Sequence, residues 1–234
     1  MIQLNLNESK ARLVKKEYIL DVIILLVITQ IFRVVIKYVF LSQLNLTLEN
    51  INIANIISIM LVGISLSMFL RGSDLFNPAG QRLIKLNNRY TNKNIRIILG
   101  IVTLISLILN ICLDGGFIKS NLIIMTLFMI AQPIFEEVIF REYLWNYIGC
   151  FLKDEKRILV IISILSAMFQ IGYWDIVSQN ISVVGSSFYT VDVVLSRVLF
   201  NFILAFILGI VKIKYKDTHL CIFVHSLANI FFIK

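Results

Sequence analysis

The sequence predicts an all-α protein, a polytopic membrane bundle of about seven transmembrane helices with its N-terminus in the cytoplasm. Of its 234 residues, 59% are hydrophobic, 15% are charged and only two are prolines. Soluble helical proteins carry a polar face on nearly every helix, and this composition cannot supply one. Several apolar runs instead approach the roughly 20 residues that a helix needs to cross a bilayer. We therefore expect a single integral-membrane domain over residues 1–234.

The first three predicted spans are bounded by polar segments. Span 18–40 follows seventeen mostly polar residues and is too long for the core of a cleaved signal peptide, so we expect it to be retained. Span 51–70 contains Gly63, which permits close contact between helices. Span 95–113 follows the longest polar segment, 71–94, which we interpret as a loop because of its turn residues.

The later spans contain most of the polar residues at membrane depth. They are predicted at 121–147, 158–174, 191–211 and 219–233.

In the first span, Arg33 and Lys37 lie toward the outer end, and we expect their long side chains to extend to the membrane surface. Three scattered cysteines predict neither a disulfide framework nor a CxxC metal site.

Basic residues mark one side of the membrane. They precede the first span and fill the connections after spans two, four and six, whereas the connections after spans one, three and five contain only Lys119. By the positive-inside rule this alternation predicts a cytoplasmic N-terminus and an external C-terminus. The same alternation accounts for the net charge of +8. We therefore expect the lipid bilayer, and not a nucleic acid, as the partner of the basic residues. The many Lys, Asn and Ile residues are compatible with an AT-rich bacterial genome, so we expect the protein in a bacterial cell membrane.

Two adjacent carboxylates, Glu136 and Glu137, lie inside the fourth span, and Arg141 follows one turn later. An ionised group inside a bilayer costs roughly 2.5 to 3.5 kcal/mol, so this cluster indicates either mutual compensation or a function. Neighbours on a helix point about 100° apart, and the spacing of four pairs Glu137 with Arg141. Glu136 is then the carboxylate available as a general base, with Pro133 predicted to bend the helix and open a cavity. The alternative is that both acids are only interfacial.

A second motif lies in the last span, where His225 and Asn229 share one helix face. His225 is about 9 Å from the start of its span, and Glu136 is about 7 to 8 Å from the inner surface, at 1.5 Å per residue. The two motifs are therefore predicted to meet near the cytoplasmic side. A membrane histidine is otherwise commonly a packing or hydrogen-bonding residue.

The EExxxR pattern at Glu136, Glu137 and Arg141, followed by HxxxN at His225 and Asn229, resembles the CPBP family of intramembrane proteases. This is the CAAX-protease and bacteriocin-processing, or Abi, family. The resemblance covers roughly residues 121–233. It implies a helical bundle around a cavity in which a glutamate activates water to cleave a membrane-associated peptide or peptide precursor.

The resemblance also implies roles for individual residues. Glu136 resembles the base, Glu137 and Arg141 the supporting pair, and His225 with Asn229 the groups that bind water, a metal or the developing oxyanion. An amide or imidazole donor stabilises the charge of a tetrahedral intermediate best where water is scarce. The active site would face the cytoplasm.

One family motif is altered. The family carries FxxxH in the span between these motifs, and the matching residues here are Phe169 and Tyr173, with tyrosine in place of histidine. A two-histidine metal site is therefore not expected, although a divalent metal such as zinc at His225 stays open. Helix length also puts Tyr173 about 22 Å from the inner surface, farther than Glu136. Gln170 lies nearer the inner side and is a further polar candidate.

Three functions are compatible with these motifs. The first is an intramembrane endopeptidase, and the second is a catalytically weak or silent relative that binds a peptide or membrane partner, as an immunity or regulatory factor would. The third is a transporter that uses the acids as a proton relay, but the chain lacks the broken-helix pairs or repeat symmetry typical of transporters. Neither the substrate nor the oligomeric state is predicted.

Overall fold

A computed structural model describes residues 2–45, 47–72, 93–113, 120–184 and 189–232. Within these residues every regular element is helical, which confirms the predicted all-α membrane bundle. The α-helices are α1 (Ile2–Leu41), α2 (Leu48–Gly72), α3 (Lys93–Leu113), α4 (Ser120–Glu137), α5 (Trp145–Gly149), α6 (Glu155–Phe169), α7 (Trp174–Val184), α8 (Thr190–Tyr215) and α9 (Thr218–Phe232). A π-helical segment (Val138–Leu144) joins α4 to α5, and a 3₁₀ turn (Gln170–Tyr173) joins α6 to α7.

Each predicted span coincides with helix over its described residues, but two of the spans are interrupted. The run predicted at 121–147 contains the π-segment, and the run at 158–174 contains the 3₁₀ turn. Four described helical runs are long and apolar enough to cross a membrane: Ile19–Leu41, Glu49–Leu70, Glu155–Gln179 and Thr190–Tyr215. The number of crossings and the side on which the N-terminus lies stay predictions.

The outer surface of the bundle is apolar, and charged side chains of α1 lie in its interior. On α1, more than half of Ile31, Phe32 and Val35 is exposed, whereas Arg33 and Lys37 on the same helix are fully buried. Apolar side chains are stable against hydrocarbon, and charged ones are retained only where they face the protein interior. The burial pattern is therefore that of helices solvated by lipid.

The largest apolar cluster lies around the π-segment. Phe140 and Leu144 of that segment pack with Ile59 and Val62 of α2 and with Ile162 of α6. This packing seals the bundle interior next to the acidic pair, which immediately precedes the π-segment in the chain.

Two glycines allow helices to approach closely. A Cβ at Gly209 of α8 would lie 2.1 Å from Leu159 Cδ1 of α6, and a Cβ at Gly63 of α2 would lie 3.0 Å from Phe135 Cδ2 of α4. Small residues at such contacts are typical of membrane helices. The contact at Gly63 brings α2 against the last turns of α4, as the sequence suggested.

A two-residue turn places α9 against α8. The α8 helix ends before Lys216, which adopts a left-handed conformation with φ of 52°, and Asp217 follows. The Asp217 carboxylate accepts a hydrogen bond of 2.9 Å from the backbone N–H of His219 and so caps the start of α9. The short turn returns α9 alongside α8, toward the acidic pair.

Candidate active site

Glu136 lies on the last turn of α4 and is fully buried. The side-chain amide of Gln132 donates to Oε1 at 2.8 Å, and that of Gln170 donates to Oε1 at 3.1 Å and to Oε2 at 3.3 Å. Both donors are neutral, and no ion pair to Glu136 occurs among the described residues. The carboxylate is thus oriented by amides rather than compensated by a cation.

Glu137 faces a different set of partners. Its Oε1 atom accepts from Arg141 Nη1 at 3.1 Å and lies 2.8 Å from His225 Nδ1. The predicted Glu137–Arg141 ion pair is present, and Arg141 also donates to the Ala205 carbonyl of α8 at 3.0 Å. Glu137 therefore links three helical elements, while its Oε2 atom has no hydrogen-bond partner among the described residues.

The π-segment begins directly after this acidic pair. The sequence predicted a bend at Pro133, and that residue does lie inside α4, but the break in α-helical hydrogen bonding comes at Val138–Leu144. Single turns of π-helix are rare and occur frequently at functional sites. Here the segment contains Arg141 and so lies within the hydrogen-bonded network of the site.

His225 and Asn229 are both buried on α9. His225 reaches the site through Glu137, one residue beyond the predicted base. The Asn229 Nδ2 atom is buried without a hydrogen-bond partner in the described part of the chain. An unpaired buried donor is costly, so its position next to a histidine-carboxylate pair indicates a group that water or a ligand satisfies.

Tyr173 lies close to Glu136. The Glu136 carboxylate is within electrostatic reach of the Tyr173 hydroxyl, and Gln170 on the same turn bonds Glu136 directly. The distance of Tyr173 from the membrane surface stays a prediction. In a 3₁₀ turn the side chains at i and i+3 eclipse each other, so Gln170 and Tyr173 share one face.

The surroundings of Tyr173 are aromatic and tightly packed. Phe169 contacts the Tyr173 ring edge to face at 5.8 Å between centroids and packs in the same way on Phe140 at 5.5 Å. Tyr173 is only 2% exposed, and its hydroxyl makes no hydrogen bond of normal geometry within the described part of the chain. Phe169 therefore supports the position of Tyr173, and the hydroxyl is a second unpaired polar group beside Glu136.

Arg33 and Lys37 are a correction to the sequence analysis. Both are fully buried, and both pair with Asp175, two residues beyond Tyr173. They do not extend to the membrane surface because a carboxylate in the bundle interior compensates their charge. The sequence did contain a signal for this pairing. Asp175 lies close to the altered family motif, and Arg33 and Lys37 are two cations spaced at i and i+4.

A second buried ion pair fixes the start of α9. Lys212 of α8 lies 3.2 Å from Glu142 Oε2 and donates to Thr218 Oγ1 at 2.7 Å, and Thr218 also bonds Glu142. Lys212 belongs to the basic connection predicted after the sixth span, but its side chain is buried. The contact ties the π-segment to the first residue of α9, seven positions before His225.

The described residues contain no group of three or more His, Cys, Asp or Glu side chains that could hold a metal ion. Glu136 turns to Gln132 and Gln170, whereas Glu137 and His225 bond each other. These three side chains therefore do not form a metal-ligand set in the described part of the chain, although His225 lies within electrostatic reach of Glu136.

The comparison with protein families identifies the class. A family model described as Rce1-like, type II CAAX prenyl endopeptidase Rce1-like, matches residues 118–231. The matched segment contains the acidic pair, Arg141, Tyr173, His225 and Asn229. The match, which covers just under half of the chain, supports assignment to the CPBP/CAAX family of intramembrane proteases, and together with the apolar helices it supports a membrane protein. No curated protein and no solved structure matches the chain.

Proposed function

We propose that this protein is an intramembrane endopeptidase that cleaves a membrane-associated peptide with water activated by Glu136. The observation that carries the proposal is a set of buried polar atoms on the segments that hold the motif residues, none of which has a hydrogen-bond partner among the described residues. They are the Tyr173 hydroxyl, Asn229 Nδ2 and Glu137 Oε2. More than about 90% of buried polar groups in folded proteins have a partner, so such a set indicates a place for water or for a polar substrate group.

Glu136 is suited to act as the base. Its two amide donors fix the carboxylate, and neither is a cation that would hold it permanently ionised and weakly basic. In the proposed step Glu136 accepts a proton from water, and the water oxygen forms a bond to the scissile carbonyl carbon. A positioned general base typically contributes about 10² to 10⁴ in rate.

His225 and Asn229 are suited to the developing negative charge. The contact of His225 Nδ1 with Glu137 directs the other ring nitrogen, Nε2, away from that carboxylate. A carboxylate at Nδ1 fixes the orientation of the imidazole, and Nε2 is then the ring nitrogen placed to contact a substrate group. The unpaired Asn229 amide is a second donor for the carbonyl oxygen. When the tetrahedral intermediate collapses, the C–N bond breaks, and the leaving amine takes up the proton that Glu136 accepted from water.

The substrate and its side of approach are part of the proposal. We expect a membrane-associated peptide or a peptide precursor, either a C-terminal tail or a bacteriocin-type leader, that enters from the cytoplasmic side of a bacterial cell membrane. The alternation of basic connections supports that orientation. The lipid bilayer supplies the low-dielectric surroundings in which the donors are effective.

A second candidate function is peptide binding without cleavage, as in an immunity or regulatory factor. The observation that favours it is Tyr173, since a phenol has a pKa near 10 and does not replace a histidine as a proton acceptor near neutral pH. The network around Glu136 and Glu137 would then bind a peptide carbonyl without cleaving the peptide bond.

One assay separates the two functions. The protein is reconstituted in lipid nanodiscs with membrane-anchored tail and leader peptides, and the products are analysed by mass spectrometry. The peptidase proposal predicts a defined cleavage product from at least one peptide class. Saturable binding of those peptides without a product, lost on His225→Ala, would support the binding function and contradict the peptidase.

A further inference from the structure

The N-terminal helix contributes a polar face to the candidate active site, although it lies outside the family-matched residues 118–231. Gln30, Arg33 and Lys37 occur along one face of α1, and all three reach the segment between Phe169 and Gln179. That segment contains Gln170 and Tyr173, the two residues of the 3₁₀ turn that approach Glu136. The polar face of α1 therefore lies behind the site.

Arg33 makes contacts with three consecutive features of this segment. Its Nη2 atom donates to the Gly172 carbonyl at 2.7 Å and to Asp175 Oδ1 at 2.5 Å. Its guanidinium carbon lies 4.8 Å from the centre of the Tyr173 ring. Its Nε atom donates to Gln30 Oε1 at 2.7 Å. The planar guanidinium thus holds a backbone carbonyl, a carboxylate and an aromatic face at once.

Gly172 shows how closely α1 approaches the turn. A Cβ at this position would lie 2.4 Å from Gln30 Cδ and 2.6 Å from Gln30 Cγ. Gln30 in turn donates to the Phe169 carbonyl at 3.2 Å, at the last residue of α6. The 3₁₀ turn is therefore clamped from α1 on both sides, by Gln30 at its start and by Arg33 at its end.

Charge balance separates the two cations. Asp175 carries one negative charge, and Lys37 alone would neutralise it. A second fully buried cation costs free energy in a membrane protein, so its presence indicates a further role. Lys37 bonds Asp175 and Gln179, toward the body of α7, whereas Arg33 bonds Gly172 and stacks on Tyr173. Apart from the bond to Gln30 on its own helix, the additional contacts of Arg33 are directed at the turn that faces Glu136.

We propose that Arg33 is a positioning residue for the reaction, because it holds the 3₁₀ turn so that Gln170 and Tyr173 face Glu136. The proposal rests on the proposed peptidase function. Arg33 does not touch the reacting atoms and acts through the two residues of the turn. Displacement of a catalytic group by about 1 Å can cost about a hundredfold in rate, which is the scale on which such a residue acts.

The test compares Arg33→Met with Lys37→Met. Each variant removes one of two buried cations and leaves the other paired with Asp175, so charge and burial change equally. The proposal predicts that Arg33→Met lowers kcat about ten- to a hundredfold with little change in KM, whereas Lys37→Met stays within about twofold per folded protein. Equal losses in the two variants would overturn it. Full recovery by Arg33→Lys would also overturn it, since a lysine restores the charge but not the planar contacts.

A second readout does not depend on cleavage. A fluorotyrosine is placed at position 173, and its ¹⁹F chemical shift is recorded in nanodiscs. The proposal predicts a shift change, or a second signal, in Arg33→Met and none in Lys37→Met. An unchanged spectrum in Arg33→Met would contradict the positioning role even if no peptide is cleaved by the wild type. Absence of cleavage with the predicted ¹⁹F result would instead reject the peptidase proposal alone.

Discussion

The imidazole of His225 bonds the second acid of the pair, Glu137, at 2.8 Å, and leaves Glu136 to the amides of Gln132 and Gln170. Two adjacent residues of one helix therefore have separate environments. One carboxylate is tied to Arg141 and His225, and the other is oriented by neutral donors. The division gives Glu137 the structural role and Glu136 the chemical role.

The Glu137–Arg141 pair should behave as a coupled unit. Among the described residues, Arg141→Leu leaves Glu137 with His225 as its remaining charged partner, and it should destabilise the protein by about 3 to 5 kcal/mol, the usual cost of breaking a buried pair. The double variant Glu137→Gln, Arg141→Leu should recover part of that loss, because no uncompensated charge remains. The thermal midpoint in detergent measures both effects, and strictly additive losses would refute the coupling.

Substitution at Tyr173 should report on the unpaired hydroxyl. Tyr173→Phe removes one donor and should lower the cleavage rate roughly two- to tenfold, the range expected for one neutral hydrogen bond. Tyr173→His restores the residue that the family motif carries, and a gain in cleavage would identify the native protein as a weakened protease. Rates of cleavage per folded molecule measure the effect. An unchanged rate in Tyr173→Phe would show that position 173 takes no part.

Gly172→Ala should damage the site through α1. The new Cβ would overlap Gln30, and overpacking of this kind costs about 1 to 3 kcal/mol. We expect lower cleavage and a lower thermal midpoint. The double variant Gln30→Ala, Gly172→Ala removes the overlap and should recover part of the thermal midpoint. A single variant indistinguishable from wild type would show that the close approach of α1 is not needed.

Local spacing predicted part of this site. The Glu137–Arg141 pair follows from an interval of four on a helix, and the all-helical membrane fold follows from composition and apolar runs. The sequence motifs also named His225 and Asn229. These features depend on residues near each other in the chain or on the average character of long segments.

The remaining features depend on breaks in helical regularity and on distant partners. The 3₁₀ turn changes the direction of Tyr173, and nothing in the apolar pattern of 158–174 marks its start. Arg33 was expected at the membrane surface because its partner, Asp175, lies far away in the chain. Gln132 was missed because a glutamine near an acid carries no distinctive pattern until the tertiary contact is known.

The most direct test of the central claim is single-turnover peptide cleavage by wild type and by Glu136→Gln in nanodiscs. Glutamine keeps the shape and removes the base, so the rate should fall about 10²- to 10⁴-fold while the thermal midpoint changes little. Glu142→Gln is the matched control, since it removes another buried acid of the same helical run that bonds Lys212 and Thr218. We expect that control to lose stability but to keep its rate per folded molecule. A Glu136→Gln rate close to that of wild type would show that Glu136 is structural and would contradict the account.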